Sequence, residues 1–144
     1  MILEKQCQCE EVWKDIKGFE GMYKISSKGR ILSLKRTAIH TNKNKEKSLR
    51  IVPEKIRKCF LTYHGYQVIQ LNKDTYYKYS VNSIVANHFI SNPENKPEIN
   101  HKNCNKLHNC ICNLEWVTHK ENTEHAMKNN KKNKGKKYKK RHKL

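Results

Sequence analysis

Between residues 11 and 36 the chain reads EVWKDIKGFEGMYKISSKGRILSLKR, with apolar residues in short groups: Trp13 and Ile16, then Phe19, Tyr23 and Ile25, then Ile31 and Leu34. Gly18, Gly21 and Gly29 separate the groups. Short β-prone pieces bounded by glycine predict strands, and Ser26-Ser27-Lys28-Gly29 has the composition of a turn, so a small antiparallel hairpin is expected here. Residues 37–50, TAIHTNKNKEKSLR, have almost no large apolar side chains and predict a loop or linker. Over residues 55–80, β-like pieces fall around Phe60, Val68 to Leu71, and Tyr76 to Tyr79, broken at His64-Gly65 and Asn72-Lys73-Asp74. That spacing predicts an antiparallel meander.

The period then changes. In VNSIVANHFI, Val81, Ile84, Val85 and then His88 and Phe89 recur at helical spacing, with Ser80 in position to cap, and Asn92-Pro93 through Pro97 stops the helix. Ile99 to His101 predicts a short strand and Leu114 to Val117 its return, with Trp116 as core anchor. Thr118-His119-Lys120-Glu121 is a Thr-x-x-Glu capping box, so a helix begins there and runs to about Lys128. Asn122 falls in its first turn, with His125 and Ala126 three and four residues further along the same face.

Length and charge sharpen this picture. With 144 residues and 35% hydrophobic content, the chain has room for one small domain or a compact module with an appendage. A net charge of +18, from 31 Lys+Arg against 13 Asp+Glu, implies a polyanionic partner, with nucleic acid the default; the partner expected is double-stranded DNA, and a monomer is favoured. Residues 128–144, KNNKKNKGKKYKKRHKL, contain no acid and predict a disordered basic tail. No apolar run approaches the roughly 20 residues of a membrane helix, and MILEKQCQCEE lacks the features of a signal peptide. The protein is therefore expected to be intracellular, not secreted, in a viral or nuclear setting, with reduced thiols. Cys104, Cys110 and Cys112 lack the paired C-x2-C knuckles of structural zinc sites, although His101 and His108 lie nearby, and Cys7-x-Cys9 is assigned no role.

Candidate chemistry concentrates in INHKNCNKLHNCICNLEWVTHKENTEH, residues 99–125. A strand ending in His101, a polar loop, a returning strand beginning near Asn113 and a helix carrying Asn122 can bring an imidazole and an amide oxygen to one metal-bound phosphate. Phosphodiester hydrolysis needs a neutral base near pH 7 and a hard cation to stabilise charge on the phosphate and the leaving 3′ oxygen.

These residues also carry a resemblance. INHKNCNKLHNC followed by CNLEWVTHKENTEHA resembles the HNH homing endonucleases of phages and giant viruses, and the similarity extends back through SVNSIVANHFISNPENKP. EVWKDIKGFEGMYKISSKGRILSLKR resembles the nuclease-associated modular DNA-binding motif that commonly precedes that catalytic module. The resemblance implies an α+β fold: a small antiparallel β module over 11–36, a linker over 37–50, a ββα-metal (His-Me finger) nuclease module over 51–127 with its preceding meander and helix, and the basic tail over 128–144. It implies a metal-dependent DNA endonuclease using Mg²⁺ or Mn²⁺, with His101 as general base and Asn100 and Asn122 as metal ligands. Asn113 is implied to tie the loop and orient the histidine, and Lys14, Lys24, Lys28, Arg30, Lys35 and Arg36 to contact DNA.

The chain departs from the family pattern at several positions. Asn103 and Cys104 replace an Asp-Gly in the loop, His108 replaces an Asn, and Asn82 stands where relatives often have His. The expected site therefore has no carboxylate on the first hairpin, which makes metal affinity its weak point. A non-glycine at position 104 is strained if that position requires positive φ. Two other readings remain open: a catalytically inactive DNA-binding protein on the same scaffold, and a zinc-stabilised module using Cys104, Cys110, Cys112 and a histidine.

Overall fold

The computed structural model describes residues 8–133. The N-terminal punctuation produces β1 (Trp13–Asp15), β2 (Tyr23–Ser26) and β3 (Ile31–Ser33), antiparallel neighbours joined later by β6 (Lys55–Ile56) in the order β1-β2-β3-β6. The turn between β2 and β3 is the Ser26–Gly29 segment, closed by Gly29 N–H to Ser26 O at 3.0 Å. Gly29 is required there twice over. Its φ is 81°, and a Cβ on it would stand 2.8 Å from the Asn109 Cβ, so any side chain would strain the turn and push against a distant loop.

Residues 37–50 form strands rather than the expected loop. β4 (Arg36–Thr41) and β5 (Lys47–Val52) pair in register from Arg36↔Val52 to Thr41↔Lys47. The turn is held by Asn42, whose Oδ1 accepts from the N–H groups of Asn44 and Glu46, both at 2.9 Å. Backbone ladder bonds and this Asx turn suffice for order, so a core-facing apolar alternation, the usual sequence signal of a strand, is not needed. The meander follows as expected: β7 (Phe60–Leu61), β8 (Gln67–Asn72) and β9 (Tyr76–Ser80).

Helix α1 (Val81–Phe89) buries Val81, Ile84, Val85 and Ala86. Ser80 precedes it in extended conformation but makes no side-chain cap; its hydroxyl bonds Ser83 Oγ at 2.7 Å instead. The finger follows as β10 (Glu98–His101), β11 (Leu114–Val117) and α2 (His119–Asn133). The capping box is present in both directions, Thr118 N–H to Glu121 Oε2 at 2.7 Å and Glu121 N–H to Thr118 Oγ1 at 3.2 Å. α2 runs past Lys128, so the first residues assigned to the tail are helical. The disorder expected of the tail otherwise concerns residues 134–144, which lie outside the described residues.

A single core cluster draws on the N-terminal sheet (Phe19, Tyr23, Ile25, Ile31), the meander (Ile69, Leu71), α1 (Val81, Ile84, Val85) and β11 (Leu114). Each fully buried side chain of this kind contributes roughly 1.5–3 kcal/mol relative to exposure, so the finger and the N-terminal sheet are coupled through shared packing. Trp116 is half-buried rather than central. Its indole N–H donates to Ile90 O at 3.1 Å and ties β11 to the end of α1. His88 supplies a second tie, accepting at Nε2 from Lys17 N–H at 2.9 Å while Nδ1–H donates to Ile84 O at 2.7 Å.

Candidate active site

Asn100 and His101 are adjacent in β10, so the pleat sends their side chains to opposite faces. His101 is 5% exposed, and its Nε2 lies 2.8 Å from Asn109 Oδ1. Asn109 Nδ2 donates to Gln67 Oε1 at 2.8 Å, which leaves the Asn109 oxygen to accept. The imidazole proton therefore sits on Nε2, and Nδ1 is left as the basic nitrogen. Burial pushes the His101 pKa below its ordinary value, while the Asn109 hydrogen bond opposes this and His108 and Lys106 add to it. The ring is thus neutral near pH 7. Tyr66 lies beside it, with ring centres 6.1 Å apart.

On the other face, β10 and β11 meet α2. Glu98 accepts from Asn122 Nδ2 at 2.6 Å and pairs with His119 Nδ1 at 2.8 Å. Two residues on, Asn100 Nδ2 donates to Glu115 Oε1 at 2.8 Å. One helical turn after Asn122, His125 Nε2 meets Lys102 O at 3.2 Å. Asn100 therefore lies between Glu98 and Lys102, the two residues that these α2 side chains reach. The Asn122 and His119 hydrogen bonds lower the pKa of Glu98 and keep it ionised.

An ionised carboxylate only accepts, so each Asn must present its nitrogen to its Glu and turn its oxygen away. An amide oxygen is a hard donor of the kind a divalent cation takes, so Asn100 and Asn122 are residues that could hold one. The hairpin does carry carboxylates, on Glu98 and Glu115, contrary to the expectation from Asn100 and Asn103. The acids come from positions flanking those where relatives place ligands, brought alongside by the register of β10 against β11. A cleft of about 310 Å³ opens beside this face, lined by Lys96, Asn100, Glu115, Glu121, Glu124 and His125 among others.

Asn113 is 5% exposed and spans the loop between the strands. Its Oδ1 accepts from Asn103 N–H at 3.1 Å, and its Nδ2 donates to Asn103 Oδ1 at 2.9 Å and His108 O at 2.8 Å. It makes no bond to the His101 ring; that task falls to Asn109, which sequence reasoning missed. Asn103, Asn105, Asn109 and Asn113 all lie within one irregular loop, and no periodicity marks which of them turns inward. Cys104 has a φ of 62°, so the position that loses the family's glycine is one where glycine is favoured. Its Sγ lies 4.0 Å from His125 Nδ1, and it does not join Cys110 and Cys112, whose sulfurs gather with that of Cys9 instead.

The basic residues singled out in the sequence divide into two groups. Arg36 donates to Tyr23 Oη at 3.1 Å, Ser33 Oγ at 3.1 Å and the carbonyls of Met22 and Leu34; Arg30 is ion-paired with Glu11; and Lys14 donates to His88 O at 2.8 Å. These three hold the protein together. The ammonium groups of Lys24, Lys28 and Lys35 make no hydrogen bond or ion pair among the described residues, which leaves them available to phosphates.

Comparison with known proteins shows what the chain as a whole is similar to. The NUMOD4 motif matches residues 11–72 and so extends well past the N-terminal hairpin, through β8. The chain is 36% identical over 116 residues to the DNA endonuclease I-HmuI of Bacillus phage SP01, covering 80% of this chain and 57% of that one. It is 46% identical over 77 residues to the SPbeta prophage-derived putative HNH homing endonuclease YosQ of Bacillus subtilis (strain 168), covering 52% and 44%. To the uncharacterized HNH endonuclease L245 of Acanthamoeba polyphaga mimivirus it is 35% identical over 118 residues, covering 81% and 30%. The solved structure describing DNA binding and cleavage by the HNH homing endonuclease I-HmuI superimposes with a TM-score of 0.64 at 32% identity, over 83% of this chain and 59% of that one. By sequence and by fold, the chain is a NUMOD4-containing relative of the HNH homing endonucleases, and it spans less than two thirds of the length of each relative named. No described helix is long and apolar enough to cross a membrane.

Proposed function

We propose that the chain is a metal-dependent DNA endonuclease that hydrolyses phosphodiester bonds with one histidine base and one divalent cation. The observation that carries this reading is the orientation of the two amides. Asn100 and Asn122 give their nitrogens to Glu115 and Glu98, which turns both oxygens away from the acids, and the neighbour of Asn100 in β10 is the buried, neutral His101. Asn100 and Asn122 are the residues that would hold Mg²⁺ or Mn²⁺. A bound cation would stabilise negative charge on the phosphate and on the leaving 3′ oxygen.

His101 accepts a proton from water at Nδ1, since Nε2–H is held by Asn109, and the positive charge that develops on the ring is stabilised by the Asn109 oxygen. Asn113 keeps the loop closed so that Asn109 remains in reach. Phosphate contacts from Lys24, Lys28 and Lys35 position the duplex without reading its sequence. The β4–β5 ribbon is of the width a major groove admits, and it carries the exposed Lys43, Lys45, Lys47 and Arg50.

Plasmid incubated with the protein and Mg²⁺ or Mn²⁺ is expected to be nicked or linearised, and chelator is expected to stop this. Asn122→Ala should raise the metal concentration required. Cleavage that proceeds equally in chelator would overturn the proposal.

A further inference from the structure

We propose that Cys9, Cys110 and Cys112 form a structural zinc site that clamps the finger loop to the N-terminal segment. Their sulfurs all lie within 4.8 Å of one another. A tetrahedral thiolate site with Zn–S distances of about 2.3 Å has its sulfurs roughly 3.8 Å apart, so a contraction of at most about 1 Å completes the geometry. Side-chain rotation alone covers that distance.

Burial argues against simple packing. Cys110 is 2% exposed, but Cys9 is only half-buried and Cys112 is exposed, so two of the three thiols do not serve as core filler. The thiols converge from opposite ends of the chain. Cys9 comes from the N-terminal segment, and Cys110 and Cys112 form a C-x-C pair in the finger loop.

The backbone around the cluster is already fixed, so little ordering remains to be done on binding. Ser27 is the hub. Its N–H donates to Val12 O at 2.8 Å, its hydroxyl donates to Glu10 O at 3.2 Å and accepts from Val12 N–H at 3.0 Å, and its carbonyl accepts from Ile111 N–H at 2.9 Å. Glu10 follows Cys9, and Ile111 separates Cys110 from Cys112, so one serine sets both walls of the site. Asn109, the residue before Cys110, packs against Gly29 and binds His101. The metal would therefore act as a positioning device. By fixing Cys110 it fixes Asn109, and through Asn109 the His101 ring.

This ligand set differs from the one suggested by sequence spacing, because Cys104 is replaced by a cysteine nearly a hundred residues earlier. It is also separate from the Asn100 and Asn122 oxygens, as thiolates select zinc whereas amide oxygens select Mg²⁺ or Mn²⁺.

The test uses the full chain, purified reduced with zinc in the medium, and reads metal content independently of DNA cleavage. About one zinc per chain is expected, and replacement by Co²⁺ should give the absorption of tetrahedral thiolate coordination. Cys104→Ser should retain the metal. Cys9→Ser and Cys112→Ser, chosen because neither side chain is fully buried, should each weaken zinc binding by more than the roughly 10–100-fold typical of losing a ligand's hydrogen-bonded partner. Chelation should lower the melting temperature of the wild type. A reduced wild-type protein that binds neither zinc nor Co²⁺ overturns the proposal, as does a disulfide within the cluster, or zinc content and affinity unchanged in both variants.

Discussion

The β4–β5 hairpin and the loop from Lys102 to Asn113 are both rich in Asn and Lys, yet they are ordered by opposite means. In the hairpin the backbone supplies the order. Six residue pairs are in register, and the apolar side chains face water, with Ile39 68%, Leu49 77% and Ile51 64% exposed. In the loop, side-chain amides take over the task of a ladder, and Asn109 and Asn113 are only 3% and 5% exposed. Polar composition therefore does not decide whether a segment is passive. What decides is whether its polar atoms are buried with partners, because a buried group that loses its partner costs about 1–3 kcal/mol whereas an exposed one is compensated by water.

The sharpest way to break the contrast is Asn109→Ala. It leaves His101 Nε2–H and Gln67 without a partner, and about 1–3 kcal/mol of stability should be lost in denaturant unfolding. Cleavage should fall more steeply than DNA binding, since the base loses its tautomer restraint. Asn109→Asp sharpens the point: a carboxylate beside the ring raises the His101 pKa, and the acid limb of kcat/KM should move to higher pH. In the wild type that limb should lie below 6.5, because burial lowers the histidine pKa and activity is lost only as pH falls through the lowered value. The same shift makes the unfolded chain take up the proton first, so stability should rise with pH between the lowered pKa and 6.5.

Glu98→Gln tests the other face of β10. Removing the charge behind Asn122 should weaken Mg²⁺ affinity, raising the cation concentration for half-maximal cleavage by about 10–100-fold with the fold retained. Cys104→Gly should be stabilising. Relief of the left-handed backbone gains about 1–2 kcal/mol, partly offset by the greater freedom of glycine when unfolded, and chemical denaturation should read a net gain below that range. In the hairpin, Lys47→Ala and Arg50→Ala should leave stability within about 0.5 kcal/mol. Each should reduce the salt slope of DNA binding by about one if it contacts a phosphate.

Much of the finger was legible because local chemistry and tertiary structure agree there. The Thr118–Glu121 box and the Leu114–Val117 strand appear where the sequence placed them, and Asn122 meets the hairpin at Glu98, two residues before Asn100, while the His101 ring turns to the opposite face. The hairpin over 37–50 was illegible because its strands bury no face, so the usual period-2 signal never arises. Asn109 was illegible because its role depends on Gly29 and Gln67, tens of residues away. Glu98 and Glu115 became visible only once the register of β10 against β11 was known. Arg36 looked like a phosphate contact until the carbonyls and hydroxyls around its guanidinium were seen.

The most direct test of the site compares His101→Ala with the wild type on plasmid DNA in Mg²⁺, with duplex affinity measured in parallel. The proposed role of the ring predicts that cleavage falls by about 10²–10⁴-fold while affinity is unchanged, the loss expected of a general base. Equal cleavage by His101→Ala would contradict it.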